Sequence, residues 1–282
     1  SIYFNSFVDA FFESMSGITT TGATVIGSNL GYLIEDLPHG ILFWRSFTQF
    51  VGGMGIILFT IAILPILGMG GVQLFRAEVS GPSTDKLTPR IKETAKYLWG
   101  IYLGLIIIET IVLYIEGILF NIDKITFFNA LCHSMTTIST AGFSTFNNSI
   151  LGFESDIVSW TIMIFMFLGA TNFSLHFLLI AKKSFEYFND TEFKFYISII
   201  LIFFFLTFIN LTGMHGYTFR NITASLFNTI SLLTTTGYTL NDYGTWPPLS
   251  QLIIFFMFFI GGMAGSTTGG IKLIRTYFSV IW

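Results

Sequence analysis

Apolar residues run through this chain in blocks of two lengths. Five blocks read as membrane spans: residues 41–67, 97–115, 157–181, 195–211, and a last one that covers 249–260, breaks, and resumes over 271–282. A spanning helix needs about 20 predominantly apolar residues. Three shorter stretches, 5–18, 126–138 and 220–233, cannot span. Lying beside true spans, they predict helices that enter the membrane and turn back. Each ends in a polar run rich in threonine and glycine: SGITTTGAT at 16–24, TTISTAGFS at 136–144 and SLLTTTGYT at 231–239.

The three runs form an internal repeat. Aligned on Gly22, Gly142 and Gly237, they match Thr19 with Ser139 and Thr234, Thr20 with Thr140 and Thr235, and Thr24 with Ser144 and Thr239. Upstream, Ser14, Ser134 and Thr229 coincide; downstream, each run precedes a span notched by small residues at 52–55, 169–172 or 261–264. Small residues alone could serve helix packing. Three copies, each after a helix too short to span, instead mark a pseudo-symmetric membrane fold.

Composition sharpens this picture. Of 282 residues 52% are hydrophobic and 10% charged, and the mean hydropathy is +0.72; soluble domains carry about 25% charged residues. The fold class is therefore all-α, a polytopic membrane protein of repeated helix, pore helix, filter strand and helix units. One cysteine, Cys132, rules out an internal disulfide, and four scattered histidines show no metal-ligand spacing. The chain begins at Ser1 in an amphipathic segment and reads as a fragment. Bases cluster at Arg76, Lys86, Arg90, Lys92 and Lys96, at Lys182, Lys183 and Lys194, and at Lys272 and Arg275, which places those connections in the cytoplasm. The opposite connections carry Glu35, Asp36, Glu116, Asp123, Glu154, Asp156 and Asp242, so the runs approach from outside under an acidic rim.

Threonine and glycine at such a place point to cation chemistry. Backbone outside helix geometry is tolerated at membrane depth only inside protein or along a watery cavity. Its carbonyl oxygens can replace an ion's hydration shell. Glycine admits positive φ, and a helix C-terminus aimed at the site favours positive charge. Carboxylates, which a divalent ion would recruit, are absent from the runs. The candidate ion-binding residues are Thr19, Thr20, Thr21 and Gly22; Ser139, Thr140, Ala141 and Gly142; and Thr234, Thr235, Thr236 and Gly237. Ala141 lacks the hydroxyl of Thr21 and Thr236. Paired carboxylates, a Ser/His pair or a metal cluster would indicate an intramembrane enzyme, and no such set converges. A structural scaffold gives no reason for repeated runs.

These runs, with RSFTQFVGGMGIILFTIAILPILGMGGVQLFRAE at 45–78, DKLTPRIKETAKYLW at 85–99 and GGMAGSTTGGIKLIR at 261–275, resemble the Trk/Ktr/HKT superfamily of potassium transporters, in its bacterial TrkH-like branch. The likeness covers essentially the whole chain. It implies potassium uptake across a bacterial plasma (inner) membrane through four pore repeats, no enzymatic activity, no bound cofactor beyond potassium as substrate, a homodimer in membrane lipid, a cytosolic TrkA-like nucleotide-binding partner, and no nucleic acid. Three repeats are present: 1–67 without its first helix, 68–181 with a cytoplasmic connector at 68–96, and 182–282 with a glycine-rich loop at 261–270. The N-terminal helices and fourth repeat of the family are missing.

The loop resembles the family's intramembrane gate, with Gly261, Gly262, Gly265, Ser266, Gly269, Gly270 and Lys272 as its candidate residues. Five glycines weaken a helix by about 1 kcal/mol each relative to alanine, more than one close helix crossing needs. A phosphate-binding loop is excluded by Ile271 where lysine is required. In the superfamily a serine replacing a filter glycine accompanies sodium passage. All three glycines are intact, which favours potassium over the alternative, a sodium-permeable or sodium-coupled transporter. Glu13, aligned with His133 and Asn228, reads as a structural brace ahead of a source of negative potential. Glu109 within a span needs a polar partner, Asn172 faces either the cavity or a neighbouring helix, and Cys132, His133 and His176 read as core residues.

Overall fold

A computed structural model describes residues 4, 6–27, 31–55, 91–182 and 186–281. The second half of the first expected span and most of the basic connector 68–96 lie outside the described residues. Ten α-helices follow in order among the described residues: α1 (Phe7–Ile18), α2 (His39–Phe50), α3 (Ile91–Leu119), α4 (Phe127–Ile138), α5 (Asp156–Gly169), α6 (Phe173–Lys182), α7 (Thr191–His215), α8 (Phe219–Leu233), α9 (Pro248–Met257) and α10 (Leu273–Ile281). The only β-type pairing among them is an isolated bridge between Ile260 and Ile271.

The repeat is visible in how the helices begin and end. The short helices α1, α4 and α8 each start on a hydroxyl cap: Ser6, Thr126 and Thr218 accept hydrogen bonds from the amides of Asp9, Asn129 and Asn221. Such a cap satisfies one of the four orphan amides of a helix start. α8 holds 15 residues where α1 and α4 hold 12, so the third short helix begins about a turn earlier. Each helix after a run leaves α geometry at its small-residue notch or, in the third repeat, just before it. α2 passes into a π turn at Val51–Gly55, α5 stops at Gly169, and α9 stops at Met257.

Among the described residues two helices are long and apolar enough to cross a membrane, over Ala95–Leu119 and Thr191–Gly213. At about 1.5 Å per residue, the 29 residues of α3 reach about 43 Å, longer than the roughly 30 Å hydrocarbon core. The expected span 157–181 is corrected: it is two helices, α5 and α6, bent by 96° at the break. Hydropathy could not show this, because Gly169-Ala170-Thr171-Asn172 interrupts the backbone without interrupting the apolar pattern. Large apolar side chains point outward along the long helices: Ile107, Ile108 and Ile118 on α3, Phe205 and Ile209 on α7, Phe255 and Phe256 on α9. Only lipid or further protein suits such a surface. The largest core cluster joins α5, α7, α8 and α9 through residues such as Ile162, Tyr196, Phe227 and Met257. This packing holds α8, while α4 packs on α2 and α3 and α1 packs on α2.

Candidate functional site: three converging filter runs

Each run starts from a helix C-terminus, and the same backbone path follows three times. The capping residues Thr19, Ser139 and Thr234 have φ of −85°, −75° and −81°. The next residues, Thr20, Thr140 and Thr235, are left-handed at φ 56°, 50° and 55°, and the glycines follow at 74°, 82° and 80°. Left-handed β-branched residues are true outliers, costing about 1–3 kcal/mol each. Three at one register are not accidental. The cost is met partly by hydrogen bonds that close the helix ends. The amides of Thr20, Thr140 and Thr235 donate to Gly17, Thr137 and Leu232 carbonyls at 2.9–3.1 Å, and those of Thr21, Ala141 and Thr236 donate to Ser16, Thr136 and Ser231 carbonyls, each at 2.9 Å.

This pattern orients the oxygens. Across a planar trans peptide the N–H and the preceding C=O point in opposite directions. Amides that face back to the helix therefore turn the carbonyls of Thr19, Thr20 and Thr21, and of their counterparts, away from it. Of these nine oxygens, two accept hydrogen bonds among the described residues: Ser139 from the Thr140 hydroxyl at 2.8 Å, and Ala141 from Gln49 Nε2 at 3.1 Å.

The runs stand side by side. A Cβ built on Gly22 would lie 2.0 Å from the Ala141 carbonyl oxygen, and one on Gly142 would lie 1.9 Å from that of Thr236. No side chain fits at either place, so glycine is required both by φ and by the adjacent strand. Gly237 shares the φ but has nothing within 4 Å among the described residues.

Each run is braced from behind. In the first, Ser16 donates to Ala23 O at 2.5 Å and the Thr19 and Thr21 hydroxyls pair at 2.8 Å. In the third, Ser231 donates to Tyr238 O at 2.7 Å and Thr234 pairs with Thr236 at 2.8 Å. The second cannot make the hydroxyl pair, because Ala141 has none. Buried Gln49 from α2 grips it instead, donating to Ala141 O and accepting from Phe143 N at 3.0 Å. Tyr238 also reaches behind it, bonded to the Thr136 hydroxyl and 3.4 Å from Phe143 O.

Glu13 is a brace: it accepts from the Thr24 hydroxyl at 2.9 and 3.0 Å and from Val25 N at 3.1 Å, and forms a buried ion pair with Arg45 at 2.8 Å. Arg45 continues to Ser144 O at 3.0 Å and lies over the Phe143 ring at 4.1 Å, tying the first repeat to the second. A buried pair with satisfied remaining donors persists where a lone charge would not. The aligned His133 does the same work, joining Asn129 O at 2.8 Å and Ser144 Oγ at 2.9 Å. Gln49 and Arg45 were not singled out from sequence; polar side chains three and seven residues before the Gly52-Gly53 notch, inside an apolar span, are the signal that marks them.

The glycine-rich segment 261–272 packs directly against the runs. Thr267 donates to Ile138 O at 2.9 Å and receives the Thr140 hydroxyl at 3.2 Å. Gly269 N donates to the Thr235 hydroxyl at 2.8 Å. The same segment docks on the α5–α6 break: Met263 N bonds Ala170 O at 3.1 Å, and Phe173 N bonds Gly265 O at 3.0 Å. Asn172 accepts from Ser174 N at 2.8 Å, so it starts α6. Ser266 bonds Met263 O at 2.6 Å and Thr268 at 2.8 Å. Lys272 grips the loop, reaching Thr268 Oγ1 at 3.0 Å and Thr268 O. Glu192 of α7, missed by the sequence reading, accepts from Ala264 N at 2.8 Å. His176 at the break bonds Leu168 O at 3.0 Å and receives the Tyr187 hydroxyl, whose acidity burial weakens to a pKa of about 12.

Chemically, the site offers oriented peptide oxygens and hydroxyls, with carboxylates held behind them. Among the described residues no group of three or more His, Cys, Asp or Glu side chains could hold a metal ion. Oxygen dipoles without net charge suit a monovalent cation passing through.

The comparisons with known proteins agree with this geometry. The family model TrkH, a cation transport protein, matches residues 4–281. The chain is 44% identical to the Trk system potassium uptake protein TrkH of Vibrio parahaemolyticus, over 96% of this chain and 54% of that protein. It is 41% identical to TrkH of Escherichia coli, over 95% and 54%, and 38% identical to TrkG of Escherichia coli, over 96% and 54%. The crystal structure of the potassium transporter TrkH from Vibrio parahaemolyticus superposes with a TM-score of 0.78 at 40% identity, covering 98% of this chain and 54% of that one. The chain thus spans about half the length of the relatives it matches. From its repeated runs, its apolar helices and this match along nearly its whole length, the chain belongs to the TrkH family of bacterial inner-membrane cation transporters.

Proposed function

We propose that this chain forms part of a potassium uptake pathway, in which the three threonine–glycine runs line a selectivity filter and the segment 261–270 gates it. The observation that carries the reading is the threefold return of one strained backbone path, with the glycines of the first two runs set against the neighbouring run's carbonyl. A potassium ion sheds water at the outer mouth and exchanges it for peptide oxygens. Those oxygens are held in advance by helix-end hydrogen bonds, Gln49 and Tyr238, so little reorganisation accompanies entry. Helices α1, α4 and α8 end at the runs and add the negative ends of their dipoles.

The ion next meets the loop. Contacts of Thr267 with the second run and of Gly269 with the third support an obstruction directly under the filter. Residues 182–194 and 272–275 carry bases and face the cytoplasm on this reading. A cytosolic nucleotide-binding subunit of the TrkA type acting on a homodimer follows from family membership, and its route to the gate would run through this basic side. Intact glycines at all three registers support potassium over sodium.

Expression of the complete gene product in a strain lacking potassium uptake tests this directly. Restored growth at low potassium, with uptake of potassium exceeding that of sodium, is the expected result. Failure to rescue by a protein that reaches the membrane, or equal uptake of the two ions, overturns the reading.

A further inference from the structure

Glu109 stands apart from every other acidic side chain described. It lies in the middle of α3, is fully buried, and neither of its oxygens has a hydrogen-bond partner among the described residues. Thr137, on the short helix α4 two residues before Ser139, is also fully buried, and its hydroxyl is likewise unpartnered. α3 and α4 pack together, and Thr137 is the side-chain hydroxyl close enough to act on Glu109, from outside bonding geometry. Tyr238, the residue after the third filter glycine, is close to both. Its hydroxyl bonds Thr136 and approaches His133 O and Phe143 O, both at 3.4 Å.

An unsatisfied buried polar group is expensive. Two of them close together beside a third polar group meet the usual condition for a buried water, which needs two to four polar partners. α3 packs more extensively against α4 than against any other helix, so a link here transmits directly to the second run. We propose that Glu109 is a positioning residue for ion selectivity: with Thr137 it holds a buried water, and through Thr137 and Tyr238 it fixes the spacing between the second and third filter runs. No charge is required for this role; a side chain that can both donate and accept is. The proposal rests on the filter reading above.

The test compares potassium and sodium uptake by variants of the complete gene product, with Gly237→Ser, where an added side chain meets nothing within 4 Å among the described residues, as the control for the filter itself. Glu109→Gln keeps shape and hydrogen bonding and retains the selectivity ratio. Glu109→Leu lowers the ratio about fivefold, the effect of about one lost hydrogen bond, while the amount of protein in the membrane is unchanged. Thr137→Val lowers it in the same direction, and it decides the matter if Glu109→Leu does not reach the membrane. An unchanged ratio in Glu109→Leu or Thr137→Val, with Gly237→Ser altering it, overturns the proposal alone. If Gly237→Ser also leaves the ratio unchanged while reaching the membrane, the filter reading itself fails. Glu109→Gln behaving like Glu109→Leu overturns the hydrogen-bonding role.

Discussion

The second and third threonine–glycine runs follow one backbone path but are held by different neighbours. The third carries its own brace, the Thr234–Thr236 hydroxyl pair, and its glycine faces open space among the described residues. The second lost that pair with Ala141. It is instead gripped by Gln49 from the first repeat, by Tyr238 from the third, and by Thr267 from the loop. A missing hydroxyl within one repeat has thus become a dependence on the others. The second run is the point where all three repeats and the glycine-rich segment meet, and it is where damage should spread furthest.

The largest expected difference lies between Gly142→Ala and Gly237→Ala. Both force a side chain into left-handed backbone, at about 1–2 kcal/mol. Only the first also drives a Cβ to within 1.9 Å of the Thr236 oxygen. Potassium uptake by Gly142→Ala should fall to background, and Gly237→Ala should retain measurable uptake; equal loss in both breaks the comparison. Next comes Gln49→Leu, which strands Ala141 O and Phe143 N in the interior. At about 1–3 kcal/mol per stranded group, the potassium-to-sodium ratio should drop at least about tenfold. A smaller effect is expected from Glu192→Ala, which frees Ala264 N and loosens the loop: basal potassium uptake should rise about fivefold, in keeping with the loss of about 1 kcal/mol for one net hydrogen bond, with the selectivity ratio unchanged. The smallest is Thr234→Val. It removes one self-brace of the third run, worth about 1 kcal/mol, and should shift the ratio less than Gln49→Leu does.

The repeat, the short helices and the register of the runs are legible in sequence because each depends on local composition: a short apolar stretch, then threonine and glycine. The left-handed threonines were not, since threonine disfavours that conformation and only the helix-end hydrogen bonds make it tenable. The bend between α5 and α6 was hidden because hydropathy does not register a broken backbone. Gln49, Arg45 and Glu192 were passed over because their partners lie 92, 99 and 72 residues away. Contacts of that range follow from the folded arrangement of repeats and from no pattern within one of them. Glu13 was read as a structural brace, and its ion pair with Arg45 fits that role.

The most direct measurement is anomalous scattering from thallium, a heavy stand-in for potassium, in crystals of the complete gene product. The account predicts a peak on the axis shared by the three runs, within coordination distance of the carbonyl oxygens of Thr20, Thr140 and Thr235. A transport-competent protein whose thallium sites all lie away from those oxygens would contradict it.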